Sequence, residues 1–240
     1  MQKTKIEWCD YSWNPIKGIC PMDCKTPHGK SYCYARKIYK RFDIMGVNTL
    51  KNQGDKIILD DKELQIFEHG FRRSDTGPRK PSKIFVCSTM EIFHSSIPPA
   101  WRNQIFKIIE REKRHIFIIL TKLPENIDRP MPESVWLGIS TENMENYGQR
   151  IGHLYAAQAR VKFVSFEPLF GEITSLPAVD WIIFGRLTGH GKKYDPKPEW
   201  VKSVIDWTKG KPRKCAVFLK DNLIPILGED YVKAHQEWPE

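Results

Sequence analysis

Cys20, Cys24 and Cys33 crowd into "GICPMDCKTPHGKSYCYARKIYKRF", residues 18–42, with His28 and a run of basic and aromatic residues. Thiolates bind iron–sulfur clusters and zinc, and three on one short loop can wrap a single site at little loop-closure cost. Two metal chemistries suit the spacing. With His28 as fourth ligand it reads C-x3-C-x3-H-x4-C, near that of a zinc knuckle, an RNA-binding module. Without a fourth ligand, three thiolates suit a four-iron cluster that leaves one iron open for a substrate or cofactor. Spacing alone does not choose between them.

A second set of reactive groups ends the apolar runs. Ser88 is followed by Glu91, Ser140 by Glu142, and Ser165 by Glu167. Singly, each could cap a helix or reach water. Together, three hydroxyl-then-glutamate pairs suit a ligand with an ammonium and a ribose, since carboxylates accept charge-assisted hydrogen bonds from both.

The elements that must position these groups are legible in the hydrophobic pattern. From residue 83 onward, "KIFVCSTME", "HIFIILTK", "VWLGISTEN", "VKFVSFEP", "WIIFGRLTG" and "CAVFLKDN" are nearly continuous apolar runs that stop at polar residues. Such runs, without in–out alternation, read as parallel strands covered by helices. The separators agree. "IPPAWRNQIFKIIEREK" opens on prolines and shows helical spacing at Trp101, Ile105, Ile108 and Ile109; "PEWVKSVIDWTKGKP" starts at Pro198 and stops at Gly210-Lys211-Pro212. "ENMENYGQRIGHLYAAQ" is a third helix, weakened by Gly148 and Gly152.

Upstream, "WNPIKGIC" reads as a first strand entering a cysteine loop over 18–34, and "SYCYARKIYKRF" as a helix with Tyr34, Ile38 and Phe42 along one side. Residues 46–82 form an irregular insert: "GDKIILDDKEL" is a strand or hairpin and a short helix, and "RRSDTGPRKPSK" a loop. With no repeat or linker, residues 1–240 read as one domain of α/β class, a parallel sheet or barrel with right-handed crossovers. In parallel barrels the reacting groups gather where strands end.

Composition narrows the class. Hydrophobic residues at 40% and charged residues at 28% describe a chain that folds, and no run is long and apolar enough to span a bilayer. No apolar leader opens the sequence, so a cytoplasmic protein is expected. In that reducing compartment six cysteines are not a disulfide frame, so the clustered three call for metal or redox chemistry. Cys9 lies apart from them, and Cys87 and Cys215, inside apolar runs, read as buried inert thiols. Lys and Arg number 38 against 29 Asp and Glu, a net charge of +9 that suits solubility and equally a phosphate-bearing partner.

The segments "KIEWCDYSWNPIKGIC", "CYA", "MEIFH", "FIILTK", "VWLGISTEN", "RVKFVSFEPLFG" and "DWIIFG" occur in the order found in the phage Gp37/Gp68-type (three-Cys-motif) family of the radical S-adenosylmethionine (SAM) superfamily. The chain resembles that family from about residue 5 to residue 222, most specifically in the "WNP…C…CYA" opening and in "SFEPL". The resemblance implies a partial parallel (β/α)6-type TIM-like barrel, the radical SAM fold. It implies a [4Fe-4S] cluster on Cys20, Cys24 and Cys33, SAM on the open iron, and an external one-electron donor. Reductive cleavage of SAM would then give a 5′-deoxyadenosyl radical. Tyr32 matches the aromatic before the last cysteine. Ser88 and Glu91 match the second strand end that meets the SAM ammonium. Ser140 and Glu142, with Arg150, resemble the fourth-strand pattern that meets ribose and carboxylate, and Ser165 and Glu167 complete the cofactor-binding candidates. A nucleic acid or nucleotide is a substrate class that the basic charge suits.

Two departures stand out. The superfamily's gap between second and third cysteine is two residues, whereas "KTPHGKSY" is eight, so the loop must bulge; His28 lies in that insert. Relatives carry a Gly-Gly-Glu-Ser-Gly-like segment after the sixth strand where this chain has "FGRLTG", and Arg186 there signals an altered or anionic substrate. The alternative class is a zinc-knuckle-type nucleic-acid-binding protein using Cys20, Cys24, His28 and Cys33.

Overall fold

A computed structural model describes residues 1–37, 39, 56–67, 78–175, 178–210 and 214–240. They form a mixed α/β protein whose strands pair mostly in parallel, in two compact units, Met1–Ile118 and Ile119–Glu240.

In the first unit β1 (Gln2–Lys3) pairs antiparallel with β2 (Tyr11–Trp13). Strand β2 runs parallel to β5 (Lys83–Val86), and β5 to the start of β6 (Ile116–Thr121). The expected first strand "WNPIKGIC" is split. The strand that joins the parallel set lies just upstream of Pro15, which has no N–H to continue a ladder. Beyond Pro15, β3 (Ile16–Lys17) turns aside to pair antiparallel with β4 (Ile58–Leu59) in a separate two-stranded ribbon. Helix α1 (Asp61–Gln65) follows, its N-terminus capped by Asp60, whose side chain accepts from Lys62 and Glu63 N–H. Trp13 is fully buried beside Phe67 and Phe117, with ring centroids 5.1 and 6.2 Å away, and its indole N–H donates to the Glu63 carbonyl at 3.0 Å. Helix α2 (Pro99–Arg111) buries Ile105, Phe106, Ile108 and Ile109, the face its sequence spacing implied, although Trp101 is only half-buried.

The second unit holds β7 (Val135–Thr141), β8 (Val161–Phe166), β9 (Trp181–Phe184) and β10 (Ala216–Leu219), adjacent in that order and all parallel. Every residue of β7, β9 and β10 is buried, which is why these strands read as unbroken apolar runs. Helix α3 (Met144–Ala156) forms despite Gly148 and Gly152 because Asn143 caps it, Oδ1 accepting from Asn146 N at 2.9 Å, and because Tyr147 and Leu154 are buried. Helix α4 (Pro198–Lys209) spans the expected stretch, and the short α5 (Ile224–Leu227) and α6 (Glu229–Ala234) follow β10.

Register sorts the strand residues by face. Gly138 lies opposite Phe163, Phe163 opposite Trp181, and, one step nearer the carboxyl ends, Ser140 opposite Ser165. Trp136, Phe163 and Phe218 all touch Trp181, at centroid distances of 5.7, 5.2 and 6.3 Å. This aromatic floor needs Gly138: a Cβ there would sit 2.4 Å from the Phe163 ring. Gly138→Ala must displace a fully buried ring and is expected to cost about 1–3 kcal/mol, read as a lower urea midpoint at unchanged slope. An unchanged midpoint would show that the floor yields freely.

Of the expected loop "RRSDTGPRKPSK", residues 72–77 lie outside the described residues, as do Ile38 and Phe42, while 78–82 carry neither helix nor strand and lead into β5. Residues 34–37 are helical, but Tyr34 is 49% exposed rather than part of an apolar stripe. Among the described residues, no helix is long and apolar enough to cross a membrane.

Candidate functional site

The eight-residue gap between Cys24 and Cys33 is a hairpin. Lys25 and Ser31 form an antiparallel bridge, Thr26 N donates to Lys30 O at 2.8 Å, and Tyr32 N donates to Cys24 O at 3.0 Å. Gly29, at φ +73°, makes the turn at the tip beside the exposed His28. The extra residues therefore project outward, and the ends of the insert, Cys24 and Cys33, meet. Their thiols lie within hydrogen-bond reach of each other.

Cys20 approaches from the β3 side. Its sulfur hydrogen-bonds with the backbone of Met22 and of Glu91, just past β5, and lies near enough to Cys33 for their charges to interact. Gly18 lets the chain enter this loop: its φ is +121°, and a Cβ would lie 2.9 Å from the Lys56 carbonyl oxygen. Arg36 ties the loop to the helical residues after Cys33, donating to the carbonyls of Cys20 at 3.2 Å and Met22 at 3.5 Å.

The electrostatics of the three thiols differ. The hydrogen bond from Cys24 brings the Cys33 thiol down to about 6, with help from the backbone of Arg36 and Ala35 and from the Arg36 charge, against the opposing effect of burial. Burial pushes Cys20 up, and the Glu91 carboxylate and Cys33 add to this. Fully buried Cys87 is pushed up to about 12, an inert thiol as expected, whereas Cys215 is only half-buried. In metal-free protein at pH 7.5, iodoacetamide is therefore expected to label Cys33 first, at a rate that is flat from pH 7 to 9 and falls below pH 6 as its thiolate takes up a proton; Cys87 should stay unlabelled until the chain unfolds. Peptide mapping after timed quenching reads this order, and uniform labelling would contradict it.

Among the described residues, no three His, Cys, Asp or Glu side chains converge tightly enough to hold one metal ion, and His28 sits at the hairpin tip. Among the described residues the buried Arg36 Nε has no hydrogen-bond partner, a donor that the anionic sulfur of a thiolate-ligated cluster could satisfy. The cysteine loop thus brings the thiols of Cys24 and Cys33 together, with Cys20 nearby.

The other residues of the first unit fall around this loop. Ser88 donates to Asn14 Oδ1 at 3.1 Å, and Thr89 N donates to the same oxygen at 3.3 Å. Tyr34 OH donates to the Ser88 carbonyl. Glu91 is buried, its Oε1 accepting from Phe93 N at 3.2 Å, and Tyr32 is half-buried. Cys87, at φ 54°, bends the chain from β5 into this turn. Asn14 and Arg36 were not singled out in the sequence; Asn14 sits in the "WNP" stretch that carries the family resemblance, and Arg36 directly after "CYA".

In the second unit the strand-end glutamates sit in ion clusters. Glu142 is bonded by Lys122 through Oε1, and by Asn146 at 2.9 Å and Arg150 at 3.2 Å through Oε2. Arg150 also donates to the Ser140 carbonyl at 2.7 Å. Glu167 pairs with Lys220, while Ser140 and Ser165 are buried in register on neighbouring strands. Ser140, Glu142 and Arg150 are thus brought together. Arg186 is not an open anion receptor: its guanidinium pairs with Asp195 at 2.8 Å and donates to the Asn222 carbonyl.

No curated protein matches the chain. Among solved structures it is similar to a spore photoproduct lyase complexed with dinucleoside spore photoproduct, at 10% identity and a TM-score of 0.48, over 88% of this chain. This chain spans 64% of the length of that one. Residues 3–221 match the family described as "Protein of unknown function (DUF5131)". The chain belongs to that family.

Proposed function

We propose that this protein is a radical SAM enzyme, with a [4Fe-4S] cluster on Cys20, Cys24 and Cys33 and SAM as cosubstrate. The observation that carries the reading is the hairpin over residues 25–32: it absorbs the insert and returns Cys33 to within hydrogen-bond reach of Cys24. Cys20, Cys24 and Cys33 would hold the cluster, which, reduced by an external one-electron donor, would supply the electron for reductive cleavage of SAM.

The chain's own work is to bind and orient. Cys33 offers a thiolate at neutral pH, and Arg36 holds the Cys20 end of the loop and adds positive charge beside the sulfurs. Ser88 and Glu91 are assigned to the SAM ammonium, and Ser140, Glu142, Arg150, Ser165 and Glu167 to its ribose and carboxylate, with Tyr32 flanking the last thiolate. These roles follow the family resemblance, as does the partial (β/α)6 barrel. A nucleic acid or nucleotide is the proposed substrate class, supported by the net charge of +9.

Anaerobic incubation of iron-loaded, dithionite-reduced protein with SAM tests the proposal. Stoichiometric or catalytic 5′-deoxyadenosine, absent from Cys33→Ser, is the expected product. Intact SAM over fully loaded, reduced protein would refute it.

A further inference from the structure

The end of the first unit away from the cysteine loop carries a cleft. Strands β2 and β5 are parallel, and the cysteine loop and the Ser88–Glu91 turn follow their carboxyl ends. At their amino ends a cavity of about 840 Å³ lies between the segment around β1 and the residues that lead into β5. Lys3, Lys5, Arg79 and Lys80 line it, with Tyr11 in its wall.

The lack of ion-pair partners among the described residues sets these four cations apart. All four are exposed, and none makes an ion pair among the described residues. The strand-end cations behave otherwise: Lys122 and Arg150 pair with Glu142, Lys220 with Glu167, and Arg186 with Asp195. Two carboxylates also line the cleft. Asp10 is engaged, its Oδ2 accepting from Lys83 N at 2.7 Å, and Glu7 has a partner of its own. Four cations against two carboxylates leave the described lining of the cleft net positive.

We propose that this cleft binds the phosphate backbone of a single-stranded nucleic acid, as a second surface separate from the cysteine loop. Four cations on two chain segments answer several phosphates in a row rather than one. A cavity of this size is also far larger than one phosphate fills, since a water takes about 30 Å³. Half-buried Tyr11 offers an aromatic ring on which a base can stack, and a positive groove with an aromatic in its wall is how single strands are bound without sequence preference. The inference stands on the cleft alone and does not depend on the cluster chemistry.

Fluorescence anisotropy with labelled 20-nucleotide DNA and RNA, from 50 to 300 mM KCl, tests it on the full chain. Two double variants, Lys3→Glu/Lys5→Glu and Arg79→Glu/Lys80→Glu, are each expected to weaken binding by about tenfold or more and to flatten the salt dependence by about one unit per cation lost. Lys107→Glu/Lys202→Glu changes net charge equally on exposed helix positions and should cost less than about twofold if the cleft, rather than overall charge, is responsible. Circular dichroism and iron loading, unchanged in all three, separate a lost surface from a lost fold or a lost cluster. Equal losses in cleft and control variants would overturn the proposal. So would wild-type protein that ignores both oligonucleotides, or that binds anionic vesicles in their place.

Discussion

Serine at Cys20, Cys24 or Cys33 is expected to strip iron from the anaerobically reconstituted protein, with an affinity loss exceeding the 10–100-fold that changes to outer-shell partners of a metal cost. In the proposed site, three thiolates without a fourth ligand would leave no redundancy, because each one removed would bare another corner of the cluster. The fold should survive: Cys24 and Cys33 are only partly buried, and the hairpin between them is closed by backbone bonds that serine leaves alone. Cys215→Ser, at a half-buried thiol outside the loop, is the matched control and should keep its iron. Iron retained in all three loop variants would mean that the metal sits elsewhere.

The second large effect concerns Glu142. Its side chain is 8% exposed and faces Lys122 and Arg150, themselves 16% and 15% exposed. Glu142→Ala leaves two largely buried cations facing each other without their carboxylate, and breaking such a cluster from one side costs about 3–5 kcal/mol. Glu142→Gln keeps an acceptor oxygen and the shape, so it should fall between alanine and wild type. Urea denaturation at constant slope measures both. A loss below about 1 kcal/mol for alanine would mark the cluster as solvent-screened, like an exposed pair. Calorimetric titration of SAM into the glutamine variant then separates a binding role from a structural one, because glutamine cannot supply the charge that a ribose or ammonium contact draws on.

The strands of the second unit were legible because parallel strands covered on both faces need apolar residues at every position, and β7, β9 and β10 have them. Helix α3 was legible through Asn143 and its periodic face, in spite of two glycines. The first strand was misplaced by the apolar look of "WNPIKGIC": Pro15 diverts the chain, so that Ile16 and Lys17 join a ribbon whose other half lies some forty residues on. Partners at such separation leave no local periodicity to read.

The same limit applies to the polar groups. The strand-end glutamates and Arg150 could be picked out one by one, since strand ends are where a parallel sheet displays its chemistry. Their pairing with Lys122 and Lys220, and that of Arg186 with Asp195, are tertiary facts. The eight-residue insert looked like a threat to the cysteine site because a gap length says nothing of its shape. Gly29 at positive φ and the Lys25–Ser31 bridge fold it out of the way.

The most direct test of the account is to count metal and sulfide in anaerobically reconstituted protein and record its spectrum. A three-thiolate cluster site predicts a brown protein with close to four irons and four acid-labile sulfides per chain, and a broad charge-transfer band that bleaches on reduction. A colourless protein with one tightly held zinc and neither iron nor sulfide would contradict it.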